Sequence, residues 1–259
     1  MLRFSANLSL LFTEYAWPER FKVVRQYGFQ AVEIQFPYFM PAEEILKYLN
    51  QAGLKLVLFN VAADDLLQGG EGLAAVPEKQ LQFRQAVAKA MDYARILQPE
   101  AINVLPGRCV QPSRLDSYLS TFKENLNFAA EEFAALGIKT VFEAINIVDM
   151  PDFIIYNSQQ MLQVLAEVGH PMLAMQYDIY HMAMMAEDCY SFLRQYQDKI
   201  GHIQFADSPG RGQPGTGMID FGTLFTLIQN SAYAGWVGAE YRPVGESVSS
   251  LDWAKSWIS

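Results

Sequence analysis

Short apolar runs and longer amphipathic stretches alternate along this chain from one end to the other. The short runs are Arg3–Leu10, Ala31–Pro37, Lys55–Val61, Ala101–Pro106, Lys139–Asn146, Leu173–Tyr180, Gly201–Ala206 and Trp236–Tyr241. Apolar residues fill them almost continuously, the pattern of strands buried on both faces. Between them lie segments built of helix formers: Pro18–Tyr27, Ala42–Gln51, Glu78–Leu97, Leu115–Leu136, Gln159–Val168, Met185–Gln197, Phe221–Asn230 and Ser247–Ile258. In Glu78–Leu97 the residues Leu81, Val87, Ala88, Met91 and Ala94 fall on one stripe at helical spacing. Gly28, Gly53, Gly137 and Gly169 follow four of these segments, where a left-handed residue closes a helix, and Ser158 reads as the N-cap of the fifth.

Eight strands alternating with eight helices imply parallel pairing through right-handed crossovers. In 259 residues the repeat leaves little over, and a (β/α)8 barrel needs roughly 250. The predicted fold is one α/β TIM-barrel domain spanning 1–259. An open, doubly wound sheet is the rival arrangement of the same elements.

Composition narrows the partners. Hydrophobic residues at 51% and charged residues at 18% exclude a disordered chain. A net charge of −9 repels nucleic acid and anionic membrane, leaving room for a small anion in a local basic pocket. No run approaches the roughly 18 apolar residues of a membrane span, and the polar N-terminus does not read as a secretory signal. The two cysteines, Cys109 and Cys189, form no CxxC pattern, so a reducing, cytoplasmic setting is expected. Phe12, Phe36, Tyr38 and Phe59 lie near strand ends, where they would shape a pocket or a contact within a homo-oligomer.

In a barrel, side chains at the C-terminal strand ends face the active-site mouth. Four oxygen-bearing residues hold such positions on the last four strands: Glu143 in KTVFE, Asp178 in LAMQYD, Gln204 in GHIQ and Glu240 in WVGAE. Strand alternation sets them on a shared inward face. Three carboxylates so close would repel one another unless a cation neutralised them, and oxygen donors without cysteine favour a hard ion, Mg²⁺ or Mn²⁺. Each taken singly is equally explained as a helix cap or an arginine partner. His181 in DIYH follows Asp178, and at the rim it would bind a substrate oxygen. His202 sits deeper and reads as a core histidine.

After the seventh strand, SPGRGQPGTG carries a formal GxGxxG from Gly210 to Gly215. Pro214 interrupts it and no helix opens at once, which rejects a dinucleotide site. The segment reads instead as a mobile loop holding Arg211 over the mouth, with Ala63–Pro77 as a second lid. Arg108 and Arg242 are further cations near strand ends.

FEAIN at 142–146, DIYH at 178–181, HIQFADSPGRGQPGTG at 202–217 and EYRP at 240–243 resemble the hydroxypyruvate isomerase family, within the xylose-isomerase-like barrels. The resemblance runs over essentially the whole chain. It implies a (β/α)8 barrel, a divalent metal on Glu143, Asp178, Gln204 and Glu240, and acid/base catalysis by Glu143 and Glu240. Related sugar epimerases have histidine where Gln204 stands, so glutamine points to the hydroxypyruvate branch. Some carry glutamate where Asp149 lies. DNA-repair endonucleases of the superfamily use several more histidines than the three present.

Such a site moves a carbonyl between adjacent carbons. The metal acidifies the C–H, one glutamate removes its proton and the other delivers one, while His181 and Arg211 hold substrate oxygens. The implied reaction converts hydroxypyruvate to tartronate semialdehyde or isomerises a 2-oxo-tetronate. C3-epimerisation of a free ketose and a silent sugar-acid-binding barrel are the alternatives.

Overall fold

The computed structural model describes residues 2–258. Its strands are β1 (Arg3–Asn7), β2 (Ala31–Ile34), β3 (Lys55–Asn60), β4 (Ala101–Val104), β5 (Lys139–Glu143), β6 (Leu173–Asp178), β7 (Ile200–Phe205) and β8 (Trp236–Ala239). Each pairs in parallel with its neighbour, and β8 returns to β1 with Ser5 opposite Gly238. The sheet is therefore a closed barrel without an edge, and the open-sheet arrangement is excluded. Most of the apolar runs outlast their strands at the C-terminal end, and the surplus residues build the loops around the mouth.

Helices α1 (Trp17–Gln26), α2 (Ala42–Ala52), α3 (Gln80–Leu97), α4 (Leu115–Ala134) and α5 (Ser158–Val168) follow the first five strands. Gly53 and Gly169 close α2 and α5 in the left-handed conformation, both at φ +64°. The sixth helix differs from expectation. It starts directly at the strand end as α6 (Ile179–Met184), because the Asp178 side chain accepts the Tyr180 N–H and caps it. The chain then turns through Ala186 at φ +58°, and Asp188 caps a separate α7 (Cys189–Tyr196). The cap of α5 is Asn157, not Ser158, whose N–H and hydroxyl are both taken by Glu187. After α8 (Phe221–Gln229) and β8 the chain ends in a 3-10 stretch, Val248–Ser256, in place of an α-helix.

Alternation along the strands separates two cores. Outward-facing Phe4 and Phe205 pack edge-on against Trp253, with ring centroids 5.2 and 5.1 Å apart, and both meet Phe225 of α8. This aromatic cluster fastens the C-terminal segment to the barrel wall, and Phe225→Ala would cost about 3–5 kcal/mol. Inside the barrel, Leu58, Ala101 and Val141 form an apolar plug at the lower end. Above it the interior is polar and fully enclosed, with Glu33, Asn103, Gln176 and His202 all buried. Such a layer demands hydrogen-bond partners, and these converge on the strand ends.

Candidate active site

The four strand-end residues do not share one register level: Glu143 of β5 lies opposite Gln176 of β6. Asp178 of β6 lies opposite Gln204 of β7, and Gln204 opposite Gly238, two residues before Glu240. Glu143, Asp178, Gln204 and Glu240 are each buried to 5% exposure or less. Glu240 Oε1 accepts from Asn7 and Gln35 at 2.9 and 2.8 Å, and its Oε2 accepts from Arg211 at 2.6 Å. Glu143 Oε2 accepts from Asn103 and Gln176 at 3.2 and 2.9 Å. Asp178 Oδ2 is buried without a hydrogen-bond partner among the described residues.

Electrostatics follow from this crowding. Burial, then the charges of Glu240 and Asp178, push the Glu143 carboxyl well above its ordinary range. Burial raises Asp178 as well, against the opposing pull of Arg211. The Arg211 guanidinium resists its own desolvation because Glu240, Asp178 and Glu143 surround it, and its pKa is raised. Among the described residues it supplies the positive charge closest to these carboxylates, 3.9 Å from Asp178 Oδ2.

His181 is not at the rim. Because α6 begins at the strand end, its first turn folds the ring inward, and the residue is 1% exposed. Its Nε2 stands 3.5 Å from Asp178 Oδ2 and 3.8 Å from Glu143 Oε1. Glu143, Asp178 and His181 therefore bring one polar atom each within 4.8 Å of one another. The neighbouring hydrogen bonds decide the tautomer. Asn146 Oδ1 accepts the N–H groups of Val148 and Asp149, so Nδ2 is the atom facing His181 Nδ1 at 2.7 Å. Nδ1 is thus an acceptor and the ring proton sits on Nε2. Burial and Arg211 keep the ring neutral. A protonated Nε2 donates to oxygen and does not ligate a cation.

The loop after β7 carries Arg211 over the mouth as expected, but it is pinned rather than free. Asp207 is fully buried, and its carboxylate accepts the N–H groups of Ser208, Gly215, Gly217 and Ile219 at 2.8 to 3.1 Å. Of the formal GxGxxG glycines, Gly215 thereby turns its amide onto the protein's own carboxylate. Arg211 adopts φ +56°, a strained conformation for a side chain of its size, held by Asp207 N–H on Gly212 O and Arg242 N–H on Arg211 O. The Ala63–Pro77 segment is likewise tied, through Asn125 to Ala74 O and Arg108 to Gly69 O. Arg108 also bonds Pro151 O, making it a clasp between loops rather than a group of the mouth.

A cavity of about 610 Å³ opens above these residues, lined by Glu143, Glu240, His181, Arg211 and Arg242 among others, but not by Asp178 or Gln204. Phe36 lines it too, whereas Phe12 and Phe59 belong to the core. A divalent cation suits the donor set: three buried carboxylates, one of them Asp178 with an oxygen that has no partner among the described residues, and an amide oxygen.

A family model described as a xylose isomerase-like TIM barrel matches residues 21–257. Hydroxypyruvate isomerase of Escherichia coli K12 is 42% identical over 253 residues, which is 98% of both chains. This chain belongs to the hydroxypyruvate isomerase family. A 2-oxo-tetronate isomerase of Cupriavidus necator is 36% identical across 100% of this chain and 99% of its own. A solved Brucella melitensis structure, described as an AP endonuclease of family 2, superposes with a TM-score of 0.96 at 33% identity over the full length of both. As a member of the hydroxypyruvate isomerase family the chain is an isomerase, as its motifs implied.

For this family member the strand-end reading missed the residues that hold the site in place. Glu33, Asn7, Gln35, Asn103, Gln176 and Asn146 all come from positions inside or just after strands. Two signals were present in the sequence. A glutamate interrupts the apolar run AVEIQF, and a glycine interrupts WVGAE; the two meet in the barrel interior.

Proposed function

We propose that this isomerase interconverts a small 2-oxo acid bearing a neighbouring hydroxyl with its carbonyl-shifted isomer: hydroxypyruvate with tartronate semialdehyde, or a 2-oxo-tetronate with its isomer. The observation that carries this reading is the pair Glu143 and Glu240. They come from strands three positions apart around the barrel, and both line one cavity beside Arg211 and the neutral His181. One carboxylate takes a proton from the hydroxyl-bearing carbon, and the other returns one to the former carbonyl carbon. Microscopic reversibility exchanges these roles with the direction of reaction.

Arg211 would hold the substrate carboxylate, with Arg242 adding positive charge at the same mouth. His181 would donate Nε2–H to a substrate oxygen. Glu143, Asp178, Gln204 and Glu240 would hold Mg²⁺ or Mn²⁺, which when bound supplies a Lewis acid for two adjacent substrate oxygens. The pinned loop over the mouth limits water around the reacting carbons. A net charge of −9, with His202 bonded to Glu33, favours a small anion over DNA.

Incubation in D₂O with Mn²⁺, followed by mass spectrometry, tests the assignment. Hydroxypyruvate or a 2-oxo-tetronate should gain one deuterium at carbon during turnover. Deuterium entering free ketoses alone would replace this reading with C3-epimerisation. No exchange into any of them would leave a non-catalytic binding barrel.

A further inference from the structure

Below the site a buried carboxylate has no part in the chemistry just described. Glu33, inside β2, is fully enclosed. Its Oε1 accepts from Ser5 Oγ at 2.6 Å and faces His202 Nε2 at 2.8 Å. Its Oε2 accepts from the Gln204 side-chain amide at 2.8 Å. The barrel makes room for this group: β8 passes it at Gly238, where any Cβ would overlap the carboxylate.

A carboxylate in this network accepts hydrogen bonds, so the Gln204 atom facing it must be nitrogen. That choice orients the rest. Gln204 Oε1 points away from Glu33 and accepts from Gln176 Nε2 at 2.6 Å. Gln176 Nε2 also donates to Glu143 Oε2 at 2.9 Å. One buried charge thus sets the polarity of two amides in series, ending on a carboxylate that lines the cavity.

We propose that Glu33 is a positioning residue: through the Glu33–Gln204–Gln176–Glu143 chain it keeps the Gln204 oxygen, rather than its NH₂, available to a divalent cation. The inference rests on the cation site described under Proposed function. An amide has nearly the same shape either way round. Without an acceptor-only neighbour Gln204 keeps only the Gln176 N–H to fix its orientation, and its flipped form presents N–H groups to a cation that needs oxygen. Outer partners that orient ligands typically set metal affinity by about 10–100-fold.

The test is Mn²⁺ binding to the full-length, metal-depleted protein by calorimetry, without substrate, beside far-UV circular dichroism and thermal unfolding. E33Q keeps the size but offers an NH₂ to Gln204, and it should weaken Mn²⁺ binding about 10–100-fold. The exchanged pair E33Q/Q204E should bind Mn²⁺ at least as tightly as wild type. Its position-204 carboxylate presents oxygen in either orientation, and position 33 donates to it. S5A removes a donor from Oε1 and leaves the Gln204 bond intact, so it should bind Mn²⁺ as wild type does.

Folded E33Q binding Mn²⁺ within twofold of wild type would overturn the proposal. So would an exchanged pair that binds as weakly as E33Q. Misfolding of both variants would make Glu33 a folding residue and overturn it as well. Wild type failing to bind Mn²⁺ is a separate result, because it removes the cation site itself along with any role for Glu33 in holding it.

Discussion

Replacing Asp207 should loosen Arg211 before it unfolds the barrel. Its carboxylate gathers four backbone N–H groups from a loop of twelve residues, Ser208 to Ile219. A hydrogen bond to a charged acceptor contributes about 1.5–3 kcal/mol, so the four together nominally exceed 6 kcal/mol. D207A will not lose that sum, because Gly215 and Gly217 are exposed and their amides can turn to water. The loop detaches instead, and the global loss should be nearer 2–4 kcal/mol, a Tm fall of roughly 5–15 °C. D207N should not rescue it. Its NH₂ would face two backbone donors on one side, while a role in filling space would be satisfied by asparagine. Trypsin reports the loop directly, since Arg211 is followed by Gly212 and its backbone is fastened on both sides. Wild type should resist cleavage there under native conditions. D207A and D207N should be cut after Arg211, with kcat/KM lowered about 10–100-fold through the misplaced guanidinium. Wild-type Tm and protease resistance in D207N would refute this reasoning.

Two further outcomes follow from the buried polar layer. G238A places a methyl group against the Glu33 carboxylate and should destabilise the barrel by about 1–3 kcal/mol in urea denaturation, and unchanged stability would show that the interior has room the structure denies. The second concerns pH. Glu143 and Asp178 have folded pKa values raised above their unfolded ones, first by burial, so their stability contribution is present at low pH and lost as pH rises through the folded values. The metal-depleted protein should lose Tm on going from about pH 5 to about pH 8, and the Tm gained on adding Mn²⁺ should grow over the same interval. A Mn²⁺ increment that shrinks with rising pH would contradict the carboxylate cluster as its binding site.

The repeat of strand and helix was legible because a parallel barrel buries each strand on both faces, leaving continuous apolar runs. The strand-end residues were legible for a related reason: Glu143, Asp178, Gln204 and Glu240 are polar interruptions where those runs stop. What escaped the sequence depends on contacts between distant elements. Asp178 capping α6 adds a helix ahead of the expected Met185–Gln197 segment, which is α7, and turns His181 inward, a local hydrogen bond that overrides periodicity. The loop after β7 read as mobile from its glycines and prolines, yet Asp207, beside them in sequence, holds it through four amides. Glu33 and Gly238 lie far apart along the chain, and only closure of β8 onto β1 shows that one makes space for the other.

The pair of glutamates is tested most directly by solvent-proton transfer in E143Q and E240Q, each shown to be folded. With hydroxypyruvate and Mn²⁺ in D₂O, deuterium incorporation at carbon should fall about 10²–10⁴-fold in each single variant. Either variant incorporating deuterium at close to the wild-type rate would contradict proton transfer by this pair.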